Sequence, residues 1–238
     1  MSIEQRRQPG YYPRYSTLSQ RKFWDAATRE TIEKRVNDIP PLRFFSPAEE
    51  PTIRAVCDCI LPQDDRLPEF RIPILNYLDQ RLFENKIDGY RYADMPSDQD
   101  AYRLAIQAIN ETAQAIHALP FAQLDPLKQD LILKSIHDGK QLAAPEIWAR
   151  MSIHRFWALL VGDCVAAYYA HPWAWDEIGF GGPAYPRAYT RLENGLPEPW
   201  EEDEVRYEWS APLTSLSDAS EPTQTAEHQS HPGQGGTH

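Results

Sequence analysis

Apolar residues recur along this chain at three- and four-residue spacing, the period of helices, and almost nowhere in the alternation that marks a strand. Thr17 and Gln20 make a capping-box pattern ahead of Trp24, Thr28, Ile32 and Val36, and Ile39-Pro40-Pro41 stops that helix. Ser46-Pro47-Ala48-Glu49 then has the order of N-cap, first-turn proline and N3 acid. A core-facing stripe of Ile53, Val56, Cys57 and Ile60 follows. Pro51 removes one helical hydrogen bond, so the start is expected nearer Glu50.

Pro73 opens a third helix with Ile74, Tyr77, Leu78 and Leu82. Ser97 and Asp100 open a fourth, where Tyr102, Ala105, Ile106, Ile109, Ala113 and Ile116 form the cleanest amphipathic pattern. Asp125-Pro126 opens a fifth, carrying Leu127, Leu131, Ile132 and Ile136 up to Gly139. The longest helix is predicted from Pro145 to about Tyr169. Beyond Phe156 it is apolar on nearly every face, so it is expected to be the central, most buried element. The fold class is all-α: an irregular helical bundle followed by a long Pro/Gly/aromatic-rich arm.

The pattern divides the chain into an N-terminal extension with one helix (1–41), a helical core (42–170), the arm (171–209) and a disordered tail (210–238). The arm holds five prolines, four glycines and eight of the 27 aromatic residues, so no regular helix is expected there. Its aromatic rings are too apolar for a solvated linker, and they must lie against helices of this chain or of another. The tail has no aromatic residue and is rich in Ser, Thr, Gln, Pro and Gly.

Charge narrows the function classes. The 24 Lys+Arg against 35 Asp+Glu leave a net −11 over 238 residues, which disfavours nucleic acid and anionic lipid as partners. The most apolar run, 156–169, is interrupted by Gly162-Asp163 and is too short to span a bilayer, so no direct membrane insertion is expected. Arg6-Arg7 is followed by no apolar segment, so no export signal is expected. The location is then cytoplasmic, or periplasmic if the chain is co-exported with a partner.

Candidate chemistry is sparse. A di-iron helical bundle needs Glu-x-x-His pairs, but Gln114, Lys134, Met151 and Tyr168 stand three residues before His117, His137, His154 and His171. Gly179-Phe180-Gly181-Gly182-Pro183 lacks the Lys-Ser/Thr of a phosphate loop and follows Asp176-Glu177, so it reads as a close-packing turn. His171, before a proline at a helix end, reads as a structural histidine placed where a cation is favoured. Of three cysteines, Cys57 and Cys59 face nearly opposite sides of a helix. With Cys164 they read as small core residues, and a disulfide to a partner is the alternative.

Taken together, Phe44-Phe45-Ser46-Pro47-Ala48-Glu49, Ile60-Leu61-Pro62-Gln63-Asp64, His171-Pro172, Gly179–Pro183, Pro186-Arg187-Ala188-Tyr189 and Glu198-Pro199-Trp200 resemble the gluconate 2-dehydrogenase subunit 3 family over roughly residues 42–202. The resemblance implies a small accessory subunit without a cofactor of its own. Its implied partner is a glucose–methanol–choline-type flavoprotein large subunit carrying FAD, and a multihaem cytochrome subunit often accepts the electrons. It also implies a role in maturation and stability of the catalytic subunit, with no catalytic residue in this chain. A wrapping arm suits that role, because aromatic side chains give large contact area at low entropic cost. The expected partner interface is Trp173, Trp175, Phe180, Tyr185, Tyr189 and Trp200, with Gly179, Gly181, Gly182, Pro183 and Pro186 shaping the turns. The alternative is a stand-alone helical ligand-binding or scaffold protein without a redox partner.

Overall fold

The computed structural model describes residues 17–87, 89–178, 180, 182 and 183, without the side chains of Ser19, Gln20 and Phe23. Among these residues the protein is all-α, with eight α-helices and no strand. They are α1 (Ala26–Asn37), α2 (Glu50–Ile60), α3 (Ile74–Phe83), α4 (Asp98–His117), α5 (Pro126–His137), α6 (Pro145–Trp148), α7 (Ile153–Tyr169) and α8 (Pro172–Ile178).

Most helix starts follow local chemistry. The Ser97 hydroxyl accepts from Asp100 N–H at the start of α4, and Asp125 accepts from Lys128 N–H one residue before the α5 proline. Helix α2 begins at Glu50, as Pro51 requires. Ser46 and Glu49 close the preceding turn instead, with the Glu49 carboxylate accepting from the Ser46 N–H at 2.9 Å and its hydroxyl at 2.7 Å. The first expected helix splits: Thr17–Phe23 is 3-10, and Asp25 caps α1 by accepting from Thr28 N–H.

Helix α2 packs against α3, α4, α5 and α7, so its buried residues Ile53, Val56 and Cys57 lie in the middle of the core. Tyr102, Phe121, Phe156 and Leu160 surround them. A carboxylate fixes the chain entering α2. Asp79, fully buried on α3, accepts the backbone N–H groups of Arg43, Phe44 and Phe45 at 2.7, 2.9 and 2.9 Å. A second, half-buried network joins three helices. The Asp163 carboxylate of α7 accepts from Arg81 of α3 at 2.5 Å and from the Tyr102 hydroxyl of α4 at 2.6 Å, while burial pushes its pKa up.

The helix expected from Pro145 to Tyr169 is two, α6 and α7, separated at Ala149–Ser152 with Ser152 capping α7. Helix α4, with 20 residues, is the longest among the described residues. Nor is α7 buried all round: Ile153, Phe156, Leu160, Cys164 and Tyr168 form one inward stripe, while Ala158, Gly162, Val165, Ala166 and Tyr169 are exposed. Leu127 and Leu131 of α5, and Ile116 of α4, also face outward, although their spacing marks them as core.

Candidate functional site

The arm begins as helix. Pro172–Ile178 makes two turns, because Pro172 is at home in a first turn and three sets of contacts from outside α8 hold it. The first is Arg66, in the loop between α2 and α3. Gln63 closes that loop by donating to Ile72 C=O at 3.0 Å and accepting from Ile72 N–H at 2.7 Å. The closed loop aims the Arg66 guanidinium, which is almost completely buried, at the base of the arm. There it donates to the Glu177 carboxylate and to the carbonyls of Phe70 and Trp173, both at 3.3 Å. The Tyr168 hydroxyl also donates to Glu177, at 2.7 Å, and burial raises its pKa.

The second is His171, at 1% exposure. Its Nδ1 accepts the Trp173 N–H at 3.2 Å, and its ring bonds the Arg35 backbone. Burial, reinforced by the Arg66 charge, lowers its pKa to about 4, so it is a neutral acceptor and not the cation expected at a helix end.

The third contribution comes from the N-terminal segment. Thr17 N–H donates to the buried Asp176 carboxylate at 2.6 Å, and the Thr17 hydroxyl donates to Phe180 C=O at 3.2 Å. Trp24, Ile32 and Trp175 form a small cluster separate from the main core, with Leu18 beside it. Arg35 donates to Ala170 C=O at 3.0 Å and sits over the Trp175 ring. Gly182, at φ +78°, packs so closely that a Cβ would lie 2.7 Å from Thr17 Cγ2.

The expected interface residues therefore divide. Trp175, 6% exposed, is spent on this chain's own cluster, and Trp173 is half-buried with its ring against Phe70 and His171. Gly182 is buried against Thr17 and Trp24, and Pro183 is half-buried. Phe180 stacks edge-on against Trp175 yet remains 47% exposed. Gly179, Gly181, Tyr185, Pro186, Tyr189 and Trp200 lie outside the described residues. Sequence reasoning missed Arg66, Tyr168 and Glu177. An isolated arginine in a Pro-flanked loop carries no periodic signal, and Glu177 beside Asp176 looks like solvated charge.

Segments far apart in sequence thus meet at one place: the loop after α2, the end of α7 at His171-Pro172, and the turn at Gly182. A family model described as gluconate 2-dehydrogenase subunit 3 matches residues 47–182. The chain belongs to the gluconate 2-dehydrogenase subunit 3 family. Comparison with curated proteins and with solved structures returns no match. The subunit 3 match runs from the turn before α2 through α8 to Gly182. The contacts that Thr17, Trp24 and Arg35 make with α8 come from outside it. Among the described residues, no group of three His, Cys, Asp or Glu is placed to hold a metal, and no helix is long and apolar enough to cross a membrane.

Proposed function

We propose that this chain is the non-catalytic small subunit of a heteromeric FAD-dependent sugar or sugar-acid dehydrogenase, and that it supports maturation and stability of a glucose–methanol–choline-type catalytic subunit. The reading rests on membership of a family named for one subunit of a dehydrogenase. The FAD belongs to the large subunit, and a cytochrome subunit is the electron acceptor in complexes that have one.

The observation that carries a partner-bearing role is the outer face of α7. A helix at the surface of a bundle ordinarily turns charged residues outward. The charged residues of α7 are Arg155 and Asp163, and both are occupied within the chain, by Asp94 and Arg81. What faces out is His154 in the first turn and then Ala158, Gly162, Val165, Ala166 and Tyr169. Tyr169 C=O accepts the Trp175 indole N–H, and Phe180 stacks on the same Trp175. The apolar face of α7 therefore runs toward the exposed Phe180 at the start of the arm. An exposed helix face without unpaired charge suits a protein-contact surface, and the large subunit is its proposed occupant.

Co-expression tests the reading. With the flavoprotein encoded beside this chain, the two copurify, and omitting this chain lowers the yield and FAD content of the large subunit. Changing Phe180, Tyr185 and Trp200 together to Ala weakens the complex. Wild-type affinity in that triple variant removes the arm from the interface, and full maturation of the flavoprotein without this chain removes the chaperoning role.

A further inference from the structure

Cys57 and Cys164 lie 107 positions apart in sequence, yet their sulfurs are 4.0 Å apart in the structure. Both are free thiols at 2% and 0% exposure, on the inward stripes of α2 and α7, which pack directly on one another. Cys59 is committed elsewhere, with its thiol donating to Gln129 Oε1 at 3.4 Å.

We propose that Cys57 and Cys164 are a disulfide pair that closes when the chain folds in the presence of a thiol–disulfide exchange donor, bolting α2 to α7 through the centre of the bundle. A disulfide needs its sulfurs at about 2.05 Å, so closure calls for about 2 Å of approach, within reach of side-chain rotation on two helices already in contact. Each thiol gives up one proton and one electron. The S–S bond forms, and the donor's own disulfide is reduced to two thiols. The bond closes one long loop of the unfolded chain, the arrangement in which a cross-link removes most denatured-state entropy.

Timing follows from burial. The hydrogen bond with the Cys164 sulfur, together with burial, pushes the Cys57 thiol well above its ordinary pKa, so in the folded chain its nucleophilic thiolate is scarce and shielded. The bond therefore forms while the core is still open, and the folded reduced chain oxidises slowly. This inference is independent of the subunit reading.

The test is refolding of the full-length reduced chain with oxidised glutathione, beside a sample kept in excess dithiothreitol. The oxidised sample is expected to lose about 2 Da, the two thiol hydrogens. It should show one titratable thiol in denaturant where the reduced chain shows three. A linked peptide pair containing Cys57 and Cys164 and a higher Tm are expected as well. Cys59→Ser keeps the mass loss, whereas Cys57→Ser and Cys164→Ser each abolish it. Native reduced chain given the same oxidant reacts far more slowly than refolding chain. A glutathione-refolded chain that retains three thiols, carries only glutathione adducts, or links through Cys59 overturns the proposal.

Discussion

Asp79 has no solvent contact and three backbone N–H donors, so its removal does more than delete one side chain. Asp79→Ala leaves those N–H groups without their acceptor and frees the chain entering α2; a loss of about 2–4 kcal/mol is expected in urea unfolding. A cost below about 1 kcal/mol would mean that water takes over the carboxylate's role. His171 makes the pH prediction. Its folded pKa of about 4 lies below the ordinary 6.5, so between those values the unfolded chain binds a proton that the folded chain refuses. Stability therefore falls as pH drops through that window, by about 3 kcal/mol at most, and the contribution is fully present above it. Between pH 7 and pH 5 the wild type should lose more stability than His171→Gln, with Tm as the readout. Parallel pH profiles would show that His171 is not held neutral.

At the scale of elements, what could be read from the sequence were the caps and the inward stripes. Ser97, Asp125-Pro126 and the Pro51 constraint placed three helix starts, because a cap is a hydrogen bond made within one turn of its own residue. Ile53, Val56, Leu78, Tyr102 and Ile109 follow from helical period alone and are all buried. The outward apolar residues were not legible, because period fixes which residues share a face but not whether that face meets a neighbour. Leu127 and Leu131 at 70% and 56% exposure, and the open side of α7, are the cases in point. The base of the arm was hidden for a related reason: it depends on Arg66 reaching more than a hundred positions along the chain to Glu177. The N-terminal hook makes the prediction at this scale. Trp24→Ala removes the centre of the Trp24, Ile32 and Trp175 cluster and should cost about 3 kcal/mol of local stability. Hydrogen exchange should then quicken in α8 while α2 and α4 keep their protection. Equal loss of protection in all three helices would mean that the hook and the core unfold as one unit.

At the scale of the whole molecule, the family-matched helices pack around one main hydrophobic core, and a hook from before the match holds the start of the arm against them. Asp163 and Glu177 are consumed in holding helices together, and Asp79 in holding the chain that enters α2. On the proposed reading, the exposed apolar residues of α7 carry the contact with the large subunit. Val165→Asp, at one of them, should leave Tm nearly unchanged and weaken partner binding at least tenfold. A fall in Tm without loss of binding would place Val165 in the fold instead of the interface. The most direct test of the central claim is size-exclusion chromatography of the co-expressed chains, following flavin absorbance and dehydrogenase activity across the column. The account predicts that both elute with a complex containing this chain and the flavoprotein, and that this chain purified alone shows neither. Flavin or turnover eluting with this chain by itself would contradict it.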